Sequence, residues 1–278
     1  MKALQAVHET TQVLAEAGVS SPRVDAEYLV AHVLGGSRTD LYAADGEATD
    51  AELERLQALV SRRREREPLA YILGEWGFRR MTLTLDRRVL IPRPETEIVV
   101  ERSLVHLRPL PEPQVLEVGT GSGAIALAIV DEHSGVRVTA VDHSAGALAV
   151  AAANRGRAGV DGRVELLRAD LLGGVTGPFD LVVSNPPYVR PEEYDALQPE
   201  IRRYEPREAL VGEGVAEEIA RGAADVLAPG GWLVLECGAG QAPALAAELR
   251  ALGYEEVTIT PDLAGVERVV EGRRRPCL

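Results

Sequence analysis

Ser184-Asn185-Pro186-Pro187-Tyr188 follows an apolar run from Phe179 to Val183 that only Asp180 interrupts. Val182 and Val183 predict the end of a buried strand, and two consecutive prolines stop it abruptly. Asn185 is thereby presented at a strand's C-terminal edge, where open α/β sheets bind their ligands. Neither proline has an N–H, so the turn cannot pair with a neighbouring strand. Its carbonyls and the Asn185 amide oxygen remain free as acceptors, and Tyr188 adds a flat aromatic face. The set suits a planar group bearing an NH2, although Asn and Pro also build ordinary surface turns.

A second chemical stretch lies upstream. Val115-Leu116-Glu117-Val118 runs into Gly119-Thr120-Gly121-Ser122-Gly123 and then into an apolar helical run, Ala124 to Ile129. Glycines let the backbone turn tightly and approach a ligand with no Cβ in the way. Gly119-x-Gly121-x-x-Ala124 satisfies a dinucleotide fingerprint, and Asp142, about twenty residues on, could hold a ribose. Two features favour S-adenosylmethionine over NAD. Asp170, after the third strand, can face an adenine amino group, and the Asn185 loop closes the fourth strand. Caps and turns are the alternative use of Asp142 and Asp170.

These loops need a sheet to position them. Strands are predicted near 114–118, 136–141, 163–168, 180–184, 231–236, 255–260 and 266–271, with helices near 95–107, 122–132, 144–155, 213–227 and 241–252. The alternation implies a doubly wound, mostly parallel α/β sheet of seven strands. Only Pro261 to Gly265 separates the last two runs, so they must be antiparallel if they pair, which suits a methyltransferase sheet better than a dehydrogenase one.

Ahead of the sheet, residues 1–73 predict a small helical bundle. Leu4, Val7 and Leu14 follow a helical period that ends at Gly18. Ser21-Pro22 offers an N-cap and a first-turn proline before Val24, Tyr28, Leu29, His32 and Val33. Thr49-Asp50-Ala51-Glu52 is a capping box. The run from Arg62 to Glu67 reads as a solvated helix end rather than a nucleic-acid patch. Residues 74–90 predict a β-hairpin linker, with Trp76 and Phe78 on one limb and Leu83 and Leu85 on the other. Residues 91–278 then form the catalytic domain, opening with Ile91-Pro92-Arg93-Pro94-Glu95-Thr96-Glu97, rigid prolines ahead of a helix with acids in its first turn.

Bulk composition narrows the classes. The 278 residues are 46% hydrophobic and carry a formal net charge of −13, which disfavours broad attraction to nucleic acid. No run approaches the ~18 apolar residues of a membrane span, and the N-terminus lacks a signal-peptide core, so a cytoplasmic location without membrane contact is expected. Cys237 reads as strand core and Cys277 as tail, with no spacing for a metal site. His8, His32, His106, His133 and His143 are scattered and read as structural or exposed.

Pro68-Leu69-Ala70-Tyr71-Ile72-Leu73-Gly74, the Ile91 to Glu97 run, the glycine loop, Asn185-Pro186-Pro187-Tyr188 and Glu205-Pro206-Arg207-Glu208-Ala209-Leu210 stand in one order. In that order the chain resembles the peptide chain release factor glutamine N5-methyltransferases, the PrmC/HemK family, over nearly its whole length. The resemblance implies methyl transfer from S-adenosylmethionine, with S-adenosylhomocysteine as product and no metal. The acceptor would be the glutamine side-chain amide in the Gly-Gly-Gln motif of class 1 release factors. It also implies that residues 1–73 recognise the substrate. Asn185, Pro186 and Tyr188 would be catalytic, and these with Pro187 would bind the substrate. Gly119, Thr120, Gly121, Ser122, Gly123, Asp142, Asp170, Leu171 and Asn185 would line the cofactor.

Two departures stand out. Leu171 replaces an aromatic that some relatives set against the adenine, and Gly212-Glu213-Gly214 differs from the expected Gly-Gly in a segment read as outside the chemistry. Three other readings fit parts of the pattern. They are a ribosomal-protein glutamine methyltransferase, an adenine-N6 DNA methyltransferase, and a non-catalytic nucleotide-binding partner of the translation machinery.

Overall fold

The computed structural model describes residues 1–44 and 46–276; Cys277 lies outside the described residues. The chain forms two compact units. One is Met1–Glu75 with Gln198–Tyr204, and the other is Trp76–Leu197 with the chain from Glu205 onward.

The first unit contains α1 (Ala3–Glu16), α2 (Pro22–Leu34), α3 (Arg38–Ala44), α4 (Asp50–Arg64) and α5 (Leu69–Leu73). At the start of α4 the Glu52 N–H donates to the Thr49 hydroxyl oxygen at 3.3 Å and the Thr49 N–H to the Glu52 carboxylate at 2.7 Å, the expected capping box. Ser21 stands at the N-cap of α2 but makes no side-chain capping bond, so the fixed φ of Pro22 marks that start. Val7 and Leu14 of α1 and Leu29 and Val33 of α2 are buried. Leu4 and Val24 are 36% and 40% exposed, and Ala3, Ala6 and Ala26 take the inner positions instead. The buried stripe follows close helix approach at alanines rather than the largest side chains.

The Arg62 to Glu67 run is only partly a solvated end: Arg64 and Glu65 are exposed, whereas Arg63 and Glu67 are buried. Arg63, 5% exposed, donates to Asp25 at 2.6 Å and to Glu200 at 2.9 Å. Arg66 binds both oxygens of Glu200, at 2.6 and 2.8 Å, and Arg62 clasps Glu67 with two bonds of 2.9 Å. Burial of Arg63 requires these partners, because an unpaired charge there would cost several kcal/mol. Glu200 reaches this unit from a segment about 130 residues further along the chain, which no local pattern reveals.

The second unit opens with a hairpin of β1 (Glu75–Phe78) and β2 (Met81–Thr84), followed by α6 (Thr96–Leu107). Then come β3 (Gln114–Val118), α7 (Ala124–Glu132), β4 (Arg137–Asp142), α8 (Ala145–Ala158), β5 (Val164–Arg168) and β6 (Phe179–Ser184). After α9 (Pro199–Tyr204), which lies in the first unit, follow α10 (Val215–Val226), β7 (Leu227–Glu236), α11 (Ala242–Ala251), β8 (Glu255–Pro261) and β9 (Glu267–Arg273). The strands of the seven-stranded sheet lie in the order β5-β4-β3-β6-β7-β9-β8. β9 is antiparallel to both β7 and β8, and the other pairings are parallel. The chain leaves β3 toward β4 on one side and later returns to β6 on the other, so a topological switch point falls between β3 and β6. Leu116, Leu181, Val182, Leu233 and Leu235 are fully buried, as strands covered on both faces require. At the hairpin Phe78 and Leu83, with Leu85 just beyond it, are buried.

Glu200→Gln removes the charge that Arg63 and Arg66 share. It should destabilise the helical unit by about 3 kcal/mol, at the low end for a broken buried pair because Asp25 remains on Arg63. Urea unfolding followed by circular dichroism reads this as an earlier midpoint; an unchanged midpoint would show that Asp25 suffices.

Candidate active site

The two loops singled out in the sequence begin side by side. Val118 at the end of β3 pairs with Ser184 at the end of β6, and the buried Ser184 hydroxyl donates to the Val118 carbonyl at 2.7 Å. Gly119 and Asn185 are the next residues of their strands.

Beyond Val118 the backbone turns through Gly119, Gly121 and Gly123 at φ 73°, 56° and 84°, a left-handed region that glycine alone adopts without strain. A Cβ built on Gly119 or Gly121 meets nothing within 4 Å, so the outer side of the loop is open to a ligand. The inner side is fixed at several points. The N–H groups of Gly119 and Thr120 both donate to the Val141 carbonyl. The Gly121 N–H donates to Asp142 Oδ2 at 2.9 Å, while Asp142 Oδ1 accepts from the Ser144 N–H at 2.9 Å. Asp142 therefore braces the loop, and each oxygen keeps a second acceptor site for a hydroxyl. Ser122 is buried, its carbonyl accepting at 2.9 Å from Asn154, whose amide also exchanges two bonds with the Thr84 backbone. Glycine geometry, the open face and an acid at the end of β4 together fit a nucleoside-bearing cofactor.

Asp170 is exposed just beyond β5. Leu171 follows at φ 47°, unusual for a branched side chain, and it packs against the buried core of the sheet unit. In the second loop, Asn185 is half-buried and Pro186 is buried. Asn185 Nδ2 donates to the Thr96 hydroxyl oxygen at 3.2 Å, which leaves Oδ1 free as an acceptor. The Tyr188 hydroxyl donates to Glu236 Oε1 at 3.4 Å, and the Tyr188 carbonyl accepts from Gln241 at 2.9 Å. Gly212 touches this loop, since a Cβ there would fall 2.7 Å from the Pro187 carbonyl. The segment read as outside the chemistry thus packs against the Asn185 loop. The Ile91 to Glu97 and Glu205 to Leu210 runs also meet, because Glu205 accepts from the Ile91 N–H at 3.1 Å and from Arg93 at 2.6 Å.

Three buried groups escaped the sequence reading: Thr96, Glu117 and Glu236. For the acids the signal was present, a lone carboxylate inside or closing an apolar strand. Glu117, 1% exposed, accepts from the Thr120 hydroxyl at 2.6 Å and the Ala126 N–H at 3.2 Å. Burial pushes its carboxyl up to about 8 against those two bonds. Burial likewise pushes Glu236, 1% exposed, up to about 7, while the Thr96 hydroxyl, the Arg268 charge and the Tyr188 hydroxyl pull it back. Tyr188 is raised by burial and by the facing Glu236.

Family comparison adds names to this geometry. The family description "PrmC N-terminal domain" matches residues 5–74 and "Methyltransferase small domain" matches residues 100–203. The chain is 42% identical over 271 residues to the release factor glutamine methyltransferase of Deinococcus radiodurans, covering 96% of both chains. It is 40% identical to the protein of that name from Geobacter sulfurreducens, over 95% of this chain and 94% of that one. Among solved structures, the ribosomal protein L11 methylase of Lactobacillus delbrueckii subsp. bulgaricus shares the fold. Its TM-score is 0.51 at 19% identity, over 67% of this chain and 81% of that one.

The raised Glu117 carboxyl sets a pH dependence. Below about pH 4.5 the folded and unfolded chains both hold its proton. Above that the unfolded chain ionises first, so stability falls until the folded group ionises near 8. Wild type should lose on the order of 4 kcal/mol across this window through Glu117. Glu117→Gln, which still accepts from Thr120 and Ala126, should flatten that slope in thermal melts from pH 5 to 8.5; an unaltered slope would remove Glu117 as its cause.

Proposed function

The chain belongs to the release factor glutamine methyltransferase family, and on that premise we propose how its own residues carry out the reaction. The acceptor is the side-chain amide nitrogen of the glutamine in the Gly-Gly-Gln motif of a class 1 release factor. The donor is S-adenosylmethionine, which supplies a methyl group on a positively charged sulfur. Gly119 to Gly123 would cradle it by backbone, Asp142 would accept from its ribose hydroxyls, and Asp170 would face its adenine amino group. On this reading the reaction belongs to the cytoplasm, and the mechanism assigns no step to a metal. We assign residues 1–73 to substrate recognition, 74–90 to a linking hairpin and 91–278 to catalysis.

The single observation that carries this reading is the fixed amide of Asn185. Its NH2 is committed to Thr96, so its oxygen is the face left for a substrate, beside the open glycine loop. An amide nitrogen is a poor nucleophile because its lone pair is delocalised into the carbonyl. Asn185 Oδ1 and the Pro186 carbonyl would each accept one hydrogen of the substrate NH2, which aims the nitrogen lone pair at the methyl group. Tyr188 would lie against the flat amide.

Transfer would form the N–C bond as the carbon–sulfur bond breaks with its electrons left on sulfur, and the methylated nitrogen would pass one proton to solvent water. Positive charge grows on that nitrogen, so two fixed acceptors bind the transition state better than the ground state. Alignment of well-oriented reactants is worth roughly 7–11 kcal/mol of barrier. A net charge of −13 gives no support to duplex DNA as the acceptor.

With labelled S-adenosylmethionine, a release factor should take up label on its Gly-Gly-Gln glutamine, while the Gly-Gly-Ala variant and duplex DNA should not. Asn185→Ala should lower kcat on the order of 100-fold or more, with cofactor affinity nearly unchanged. Label on DNA, or equal loss of cofactor binding, would count against the assignment.

A further inference from the structure

Glu236 closes β7, the strand that pairs with β6 through Ser184↔Leu235. One of its carboxylate oxygens accepts from Tyr188, and the other, Oε2, has no hydrogen-bond partner among the described residues. At 1% exposure such an oxygen costs energy unless a donor is supplied. Arg268 is bonded to Asp262 at 3.2 Å and acts on Glu236 only through its charge. Thr96 is the remaining neighbour whose hydroxyl favours the charged carboxyl, although no hydrogen bond joins the two in this structure. Its hydroxyl oxygen already accepts from Asn185.

A hydroxyl has one proton to give, and where it goes decides what its oxygen can do. If Thr96 donates toward Glu236, its oxygen is an acceptor and Asn185 must turn its NH2 to it. Asn185 Oδ1 then faces the substrate. If the carboxyl is instead protonated and donates to Thr96, the threonine proton is released toward Asn185. The lower-energy amide orientation is then reversed, with NH2 facing the NH2 of the substrate.

We propose that Glu236 is a positioning residue that acts through Thr96 to set the orientation of the Asn185 amide, and through the Tyr188 hydroxyl to hold the ring of the same loop. It touches neither reactant. The inference rests on the function assigned above and deepens it. The charged and titratable groups around Glu236 are Glu95 on the approach to α6, Arg268 on β9, Tyr188 on the loop, and Cys237 next to it in the chain. Arg93 acts on Tyr188 and Glu267 on Cys237. Burial lifts the Cys237 thiol to about 12 and raises Tyr188, so neither changes charge between pH 5.5 and 9.

The test compares wild type with Glu236→Gln, Thr96→Val and Thr96→Ser, using release factor and labelled S-adenosylmethionine. Wild-type kcat should rise as pH passes through about 7. A glutamine can accept at one end only and does not titrate. Glu236→Gln should therefore lower kcat about tenfold and erase the rise, with KM for the release factor and cofactor affinity within about threefold of wild type. Thr96→Val should lose kcat to a similar extent, and Thr96→Ser should restore it.

Wild-type kcat in either Glu236→Gln or Thr96→Val would overturn the inference, as would a Glu236→Gln deficit that keeps the wild-type pH rise. If Glu236→Gln does not fold, the valine and serine pair decides alone, read beside thermal melts. Absence of transfer by wild type would instead overturn the function on which the inference rests, so the two failures are distinguishable.

Discussion

Everything at the site depends on one register in a parallel sheet. Val118 pairs with Val141 on one side and with Ser184 on the other, and Ser184 pairs in turn with Leu235. The residues that follow these four are Gly119, Asp142, Asn185 and Glu236. A slip of one residue in any pairing would turn an alternating side chain to the opposite face. Four strands with no nearby positions in sequence thus deliver a flexible backbone, two acids and an amide to one edge. The Ser184 hydroxyl on the Val118 carbonyl pins the central pair, where the strand order reverses and a cleft must open.

Carboxylates in this unit divide by what surrounds them. Glu271 is clasped by Arg102 at 2.5 and 3.0 Å with His106 at 3.4 Å. Despite burial, these partners hold it down at about 2. Glu205 has Arg93 and a backbone N–H. Glu117 and Glu236 have hydroxyls and a backbone N–H but no cation in contact, and burial raises both. A structural acid is stabilised by pairing it, whereas an acid kept responsive must be left with neutral donors. Of the two unpaired acids, one accepts from Thr120 in the glycine loop and the other from Tyr188 in the Asn185 loop.

The sheet was legible because its strands are apolar runs bounded by turn chemistry, and the antiparallel pair because five residues leave no room for a crossover. The glycine loop and the Asn185 turn were legible as local spacing. Thr96 was not, and for Glu236 the lone carboxylate closing an apolar strand signalled burial but not its partners. Each is a single residue whose meaning comes from a neighbour far away in the chain, Asn185 for Thr96 and Tyr188 for Glu236. The unforeseen burial of Arg63 within the Arg62 to Glu67 run has the same origin, since composition records its charges and not the distant Glu200 that lets Arg63 be buried. Leu4 and Val24 were misplaced for a different reason. A helical period defines a stripe only to within a residue, and alanines won the inner positions by allowing closer packing.

One consequence of chain connectivity extends past the site itself. Between the Asn185 loop and α10 the backbone leaves the sheet unit at Leu197, runs through the helical unit as Gln198–Tyr204, and returns at Glu205. Glu200 is held there by Arg63 and Arg66, and the Tyr204 hydroxyl donates to the Glu65 carbonyl at 3.0 Å. On return, Glu205 is bonded at once to Ile91 and Arg93, while Val189 and Leu210 exchange a backbone bond across the excursion. The loop after Tyr188 is therefore closed by short tethers at both ends, and its middle is folded with the helices. Ordering those residues in advance removes conformational entropy that binding would otherwise have to supply. The segment that follows Tyr188 is thus held by fixed partners in its middle as well as on its return to the sheet.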